Sequence, residues 1–509
     1  MSRGPRVVVI AIDGTDVETI SRHVAAGALP VLTKAIHKAR EVNVRSQGDI
    51  FLTSTWPCFA SGVAVENHGI HAFRPLRSGT LELVEGADLR VPGPFWETAT
   101  LAGLRSCVVD VPHCAPPPED APLEGLRFLE WGSHPPVRPA GSFPPALART
   151  IMDRYGPHPC TNDDQSLKTV RGLKTVRAQL CEGVRLREKI IMDLLDQDPP
   201  DLLVTAFSEA HTGGHQFLNL DAPGHTWHDP AVVAALGESP LGLVYETIDA
   251  SVGRILERLP AETTVLIVCL GGIRVTYGGS QLLEEVLLRM GLTVPSGRKR
   301  SPRLWRLLPE RLRAALLHRL PALAARRTGA RFRSSLDWSK TRAFALPWAY
   351  DGYLRVNQRG REPLGIVAPG QERSMLLDQI ESAVRELRIV GTDETAVYKL
   401  VRAQDVYHGR ASEELPDLMV LWKNDRPIDA VESSRLGRIN NRDRGRRPAH
   451  STQGVIYAWG PGIAEGAPIR GVRDIDIAPT VLALLGLTPP EGLDGRLIAE
   501  LLRSRAAAV

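Results

Sequence analysis

Two histidines four residues apart close the segment Ser208-Glu209-Ala210-His211-Thr212-Gly213-Gly214-His215, just after an apolar run. On a helix, positions i and i+4 share a face, so His211 and His215 aim two imidazoles at one point, which suits a divalent metal. A lone histidine reads as a satisfied core residue; a pair at this spacing favours ligation. Asp13 offers a carboxylate at the end of Val7-Val8-Val9-Ile10-Ala11-Ile12-Asp13-Gly14. A buried parallel strand that ends this way presents the acid at the carboxyl edge of a sheet, where open α/β folds bind ligands. A helix-cap or turn aspartate is the plainer alternative. Hydroxyls come from Phe51-Leu52-Thr53-Ser54-Thr55-Trp56-Pro57, ahead of a helix start. There Thr53 and Thr55 sit where unpaired backbone N–H groups favour an anion, although ordinary N-capping uses the same residue types.

Such groups need a rigid frame, and the chain supplies one. Short β-branched runs alternate with longer helical patterns, which predicts an α/β fold with a mostly parallel central sheet flanked by helices. Strands are expected at Val7–Ile12, Val42–Arg45, Arg105–Val111, Asp201–Phe207, Thr264–Cys269, Gly352–Val356, Asp417–Trp422 and Val455–Trp459. Helices are expected at Ala231–Leu259, Glu372–Leu387 and Ile477–Gly486. Asp110–Pro145 is proline-rich and reads as a surface excursion; Ser296–Arg333 is Arg/Leu-rich and reads as a helical insert or cap. The expected division is a core from 1–290, an insert over 291–340 and the rest of the core over 341–509.

The 509 residues carry a formal charge of +4, with 43% hydrophobic and 24% charged residues, which excludes a disordered or fibrous chain. Much of the basicity lies between Arg298 and Arg333, a local stripe, so no nucleic-acid partner is expected. Cys58, Cys107, Cys114, Cys160, Cys181 and Cys269 have no C-x-x-C spacing and read as reduced thiols of a cytoplasmic protein. Met1–Arg6 leads straight into a strand pattern unlike a signal peptide, and no apolar run approaches a membrane span of about 18 residues. Nothing specifies an oligomeric state.

Several motifs in order give a resemblance. Asp13-Gly14, Thr53-Ser54-Thr55-Trp56-Pro57-Cys58-Phe59-Ala60-Ser61-Gly62 and His68-Gly69-Ile70 stand in the first part of the chain. Pro200-Asp201-Leu202-Leu203, Arg355-Val356-Asn357 and Gly360-Arg361-Glu362-Pro363 follow. His450-Ser451-Thr452-Gln453-Gly454, Gly460-Pro461-Gly462-Ile463 and Arg473-Asp474-Ile475-Asp476 close the series. Together they resemble the alkaline phosphatase superfamily, in its type I phosphodiesterase/nucleotide pyrophosphatase branch.

The resemblance implies a two-metal site for phosphoryl transfer, with a Thr or Ser nucleophile and a phosphoenzyme intermediate. It places His211, His215 and His450 around one metal, His211 replacing the usual aspartate. It places Asp13 and a hydroxyl on the other metal, where Leu270 and Gly271 occupy the positions of an Asp-His pair and cannot ligate. His68, His71, Glu209 or His134 are candidates to fill that gap. The family interval counted back from Gly62 lands on Leu52, so Thr53 is the first choice of nucleophile and Thr55 the second. The expected activity is hydrolysis of a small-molecule phosphate ester, in particular a phosphodiester, with Zn²⁺ or Mn²⁺, one or two ions per chain. The alternatives are a pseudoenzyme of the same fold that keeps one metal and serves as a binding or scaffold protein, and a sulfate ester hydrolase or phosphoryl transferase. A sulfatase Cys-x-Pro-x-Arg motif is missing, since Cys58 is followed by Phe59-Ala60-Ser61-Gly62. Trp56, Trp96, Trp131 and Trp348 read as core or pocket wall, and Arg438–Arg447 as a solvated loop or anion clamp.

Overall fold

Strands form where β-branched runs can be covered on both faces. They are β1 (Val7–Asp13), β2 (Arg40–Arg45), β3 (Ser106–Val109), β4 (Gly125–Leu129), β5 (Gly141–Phe143), β6 (Leu202–Phe207) and β7 (Thr264–Leu270). The computed structural model describes residues 4–15, 17–46, 50–72, 74–77, 79–83, 91, 93–132, 139–160, 169–237, 239–277, 279, 281–297, 332–347, 351–442 and 448–503. Two compact units result: Met1–Ile70, Arg90–Val275 and Arg447–Val509 make the first, His71–Leu89 and Thr276–Arg446 the second.

The first unit is built on a nine-stranded sheet in the order Ile469–Arg473, β2, Gln453–Trp459, β7, β1, β6, β3, β4, β5. Pairing is parallel from β7 through β1, β6 and β3 to β4; Gln453–Trp459 and β5 run antiparallel to their neighbours. Every residue of β1, β6 and β7 is buried, as expected of central parallel strands with helices on both faces. Helices Val170–Gln197 and Pro240–Glu257 pack on this sheet through Leu180, Val184, Ile191, Val244, Ile248 and Val252.

Three sequence expectations need correction. Asp110–Pro145 is no mere excursion: it contributes β4 and β5, with Phe128 and Leu129 buried. Its short strands were hidden by surrounding prolines. The expected helix Ala231–Leu259 is two helices, Pro230–Leu236 and Pro240–Glu257, interrupted at Gly237 (φ +91) and restarted by the Ser239 side chain, which caps Gly242 N–H. Pro230–Glu257 taken together is the one described stretch long and apolar enough to cross a membrane by composition, but its second helix spends Leu241, Val244, Ile248, Val252 and Ile255 on the core. The third concerns which sheet two later strands join. Gly352–Val356 and Leu418–Trp422 are strands as expected, yet they join an antiparallel four-stranded sheet of the second unit, not the large one. Strand patterns reveal burial but not partners. Residues 298–331 of the Arg-rich stretch, with Trp348 and His134, lie outside the described residues.

The second unit explains the Arg355-Val356-Asn357 and Arg361-Glu362 motifs as scaffolding. Asp417, 2% exposed, accepts from Arg361 Nη1 and Nη2 at 2.8 and 2.6 Å, Arg373 Nη2 at 2.7 Å and Val356 N–H at 2.6 Å. Arg355 Nε donates to Glu362 at 2.8 Å. Burial opposes the Asp417 charge, but its bonds to Arg361 and the charges of Arg373 and Arg355 outweigh it and hold the carboxyl well below the usual range. A depressed carboxyl contributes stability that is complete above its unfolded value of about 4 and is lost as pH falls through the folded value. Asp417→Asn should therefore be less stable than the parent at pH 7, with the gap narrowing as both are acidified below about pH 4. Denaturant unfolding at a series of pH values reads this directly, and a gap independent of pH contradicts it.

Candidate metal centre

The centre assembles at the carboxyl edge of β1, β6 and β7. β6 runs into the helix Glu209–Asp221, which carries His211 and His215 one turn apart. His450 lies on the short strand Ala449–His450, paired antiparallel with Ile273–Arg274 just beyond β7. Candidate donor atoms of the three imidazoles lie within 4.8 Å of one another, and the ring centroids within 5.2 Å. His211 is 9% and His215 6% exposed, with His450 half-buried, so the cluster keeps an open side. The expected trio is brought together.

Hydrogen bonds orient two of the rings. His450 Nδ1 is 2.8 Å from Gly271 O, which can only accept, so Nδ1 carries the proton and Nε2 a lone pair. His211 Nδ1 is 2.9 Å from Asp13 Oδ2, and its Nε2 is 3.1 Å from His215 Nε2. Zn–N bonds of about 2.0–2.1 Å at a tetrahedral angle put two nitrogens about 3.3 Å apart, close to this spacing. The donor set therefore fits one borderline-soft divalent ion, with outer partners on the far nitrogens of His211 and His450, as is usual for metal-bound histidines.

Close backbone approach makes this possible. Gly14 has φ +74, and a Cβ there would lie 2.5 Å from His211 Cα. Its N–H donates to Leu270 O at 3.2 Å and its carbonyl accepts from Ile273 N at 3.0 Å, which ties the ends of β1 and β7 beside the histidine helix.

Leu270 and Gly271 supply no side-chain ligand for a second metal. Leu270 is 1% exposed and aliphatic, opposite Asp13 in register. Gly271 offers only its backbone, which holds His450. Asp13 Oδ1 accepts from Trp56 Nε1 at 3.0 Å while Oδ2 faces His211. Of the candidates to fill the gap, Glu209 is committed to Arg187 and His158, and His68 Nε2 lies 3.3 Å from Cys58 Sγ. Burial, reinforced by Asp474, pushes the Cys58 thiol well above its ordinary value.

The hydroxyls differ in access. Thr55 opens the helix Thr55–Ser61, is 1% exposed and shares a hydrogen bond of 2.9 Å with Ser46 Oγ. Thr53 lies in the preceding 3-10 turn, Leu52–Ser54, and is half-buried. Sequence reasoning missed Trp56 as the donor to Asp13, and it missed a buried cluster behind the histidine helix. There Arg187 Nη1 donates to Asp110 at 2.6 Å, and Nε and Nη2 each donate to Glu209 at 3.1 Å. Burial opposes the Glu209 charge, but Arg187 and His158 hold its carboxyl below the usual value. Arg187 had a signal: it interrupts the apolar stripe Leu180, Val184, Ile191, Leu194 at helical spacing.

The fold and this edge-of-sheet site define an alkaline-phosphatase-like α/β protein. The type I phosphodiesterase/nucleotide pyrophosphatase family matches residues 7–426, and the chain belongs to that family, whose members are phosphoester hydrolases of the phosphodiesterase/pyrophosphatase type. No curated protein matches it. Among solved structures it is similar to murine ectonucleotide pyrophosphatase/phosphodiesterase 5, in an inactive form in complex with AMP, at 12% identity and TM-score 0.49, covering 98% of this chain and 100% of that one. Phosphonoacetate hydrolase from Sinorhizobium meliloti 1021, in complex with phosphonoformate, gives 13% identity and TM-score 0.48 over 95% and 96%. Human ectonucleotide pyrophosphatase/phosphodiesterase 5 gives 13% identity and TM-score 0.47 over 98% and 100%.

Proposed function

We propose that this chain hydrolyses phosphate esters, phosphodiesters above all, at a single-metal centre held by His211, His215 and His450. The observation that carries the reading is the convergence of these three imidazoles, two of them oriented from behind by Asp13 and Gly271. Zn²⁺ suits the all-nitrogen donor set, with Mn²⁺ as the alternative; when bound, the ion supplies Lewis acidity toward a phosphoryl oxygen and lowers the pKa of water. Thr53 is the more accessible candidate nucleophile, and Thr55 with Ser46 would brace the turn that presents it.

The test is hydrolysis of aryl phosphodiester, phosphomonoester and sulfate substrates with added Zn²⁺ or Mn²⁺. Diester turnover is expected, and background rates with all three sink the reading. Thr53→Ala is expected to lower kcat by more than about 10³-fold, as loss of a covalent nucleophile does, while Thr55→Ala acts more weakly. The reverse ranking makes Thr55 the nucleophile.

A second reading is favoured by Leu270 and Gly271: a binding or scaffold protein that keeps the fold and one ion without turnover. One ion per chain with no turnover of any ester supports it. Leu270→Asp/Gly271→His bears on the lost site. Because Asp13 is engaged on both oxygens, metal content by elemental analysis is expected to stay near about one ion per chain, not rise to the two of a bimetallic site. A second ion with faster turnover would show that the missing side chains alone account for the loss.

A further inference from the structure

We propose that Asp13 is not a metal ligand in this chain but the outer carboxylate that sets the tautomer of His211, a positioning residue that restores the charge given up at position 211. The inference rests on the single-metal reading above and deepens it. Four observations carry it. The carboxylate is 2% exposed at the end of β1, where an unpaired charge would be costly. Its two oxygens are divided, Oδ2 to His211 Nδ1 at 2.9 Å and Oδ1 to Trp56 Nε1 at 3.0 Å. Its neighbour in register on β7 is Leu270, an aliphatic side chain that cannot share a cation with it. Finally, Gly14 permits a backbone approach that any Cβ would block, and this brings the imidazole onto the carboxylate.

The electrostatics are coherent. A carboxylate accepting from Nδ1–H leaves the His211 Nε2 lone pair for a metal and raises its basicity. Three neutral imidazoles around a divalent ion would leave a double positive charge in a largely buried place; Asp13 removes one unit of it through the ring. The substitution at position 211 and the vacancy at 270 and 271 then become one rearrangement. A carboxylate with no second cation to bind becomes the partner of a histidine that has taken a carboxylate's place.

Trp56 makes the idea testable. An asparagine at position 13 has one acceptor and one donor end. With the indole N–H claiming the carbonyl oxygen, the amide NH₂ faces His211 Nδ1 and forces the proton onto Nε2, the wrong tautomer for binding. Removing the indole donor lets the amide turn over and accept from His211 again. Zn²⁺ affinity measured by chelator competition, on proteins whose folding is checked by circular dichroism, should therefore fall about 10–100-fold in Asp13→Asn. It should recover by at least about tenfold in Asp13→Asn/Trp56→Phe, the lower end of that same range. Co²⁺ absorption bands should report the same order. A parent that binds one ion, with Asp13→Asn binding it as tightly or the double variant no better than the single, overturns this inference and spares the single-metal reading. A parent that binds two ions, with Asp13→Asn binding one, makes Asp13 a ligand and also overturns it. A parent that binds none removes the single-metal reading and this inference with it.

Discussion

Replacing His450 with alanine should lower Zn²⁺ affinity by more than about 10²-fold, beyond the 10–100-fold usual for an outer partner, and abolish any metal-dependent turnover. The expectation follows from the geometry. His450 is the one member of the trio that arrives from a separate strand, so His211 and His215 alone span a single helical turn and leave the ion half-enclosed. Losing it also leaves Gly271 O, in a buried residue, without this donor. Stability without metal should therefore fall by about 1–3 kcal/mol, the cost of a buried acceptor left unsatisfied, while stability with saturating Zn²⁺ should drop further by the lost linkage. Elemental analysis after gel filtration, with melting curves with and without chelator, separates the two. A variant that retains a full ion shows that the cluster is not the metal centre.

The second large effect lies behind the site. Arg187→Met should destabilise the protein by about 3–5 kcal/mol, the cost of breaking a buried ion pair from one side. Arg187 is fully buried between Asp110 and Glu209, and its removal strands both carboxylates, of which Asp110 also holds Trp131 and Gly132 N–H groups at 2.9 and 2.6 Å. Against a typical total of about 5–15 kcal/mol this is a large share. Glu209 begins the helix that carries His211 and His215, so weaker metal binding should accompany the loss. Urea unfolding of the chelated protein gives the first quantity and Zn²⁺ titration the second. A loss below about 1 kcal/mol would mean that the three groups are not coupled as charges, since that is the range of an exposed pair.

Much of the architecture could be read from the residues because parallel strands covered on both faces announce themselves as unbroken apolar runs. β1, β6 and β7 are of that kind, and they carry the site. β4 and β5 escaped notice because each offers only a few apolar residues between prolines. The break at Gly237 escaped because apolar periodicity continues across it. At the site, His211, His215 and His450 were legible as a set from spacing and motif order. The roles of Asp13 and Trp56 were not. Both depend on which side chain faces which across a sheet edge, and a hydrogen bond spanning 198 residues leaves no local pattern. Arg187 was within reach of sequence reading, since an arginine in the apolar stripe of a helix needs a buried acid somewhere.

The separations within the centre also give it an order of completion. His211 meets Asp13 across 198 residues, and His450 meets Gly271 across 179, with Thr276–Arg446 of the second unit intervening. A chain emerging from the ribosome displays Asp13, His211 and His215 long before the strand that bears the last imidazole exists. Up to that point the polypeptide can offer a passing cation only a two-nitrogen foothold. The proposed three-nitrogen site is therefore complete only once the chain has been made through His450, the second unit's Thr276–Arg446 included.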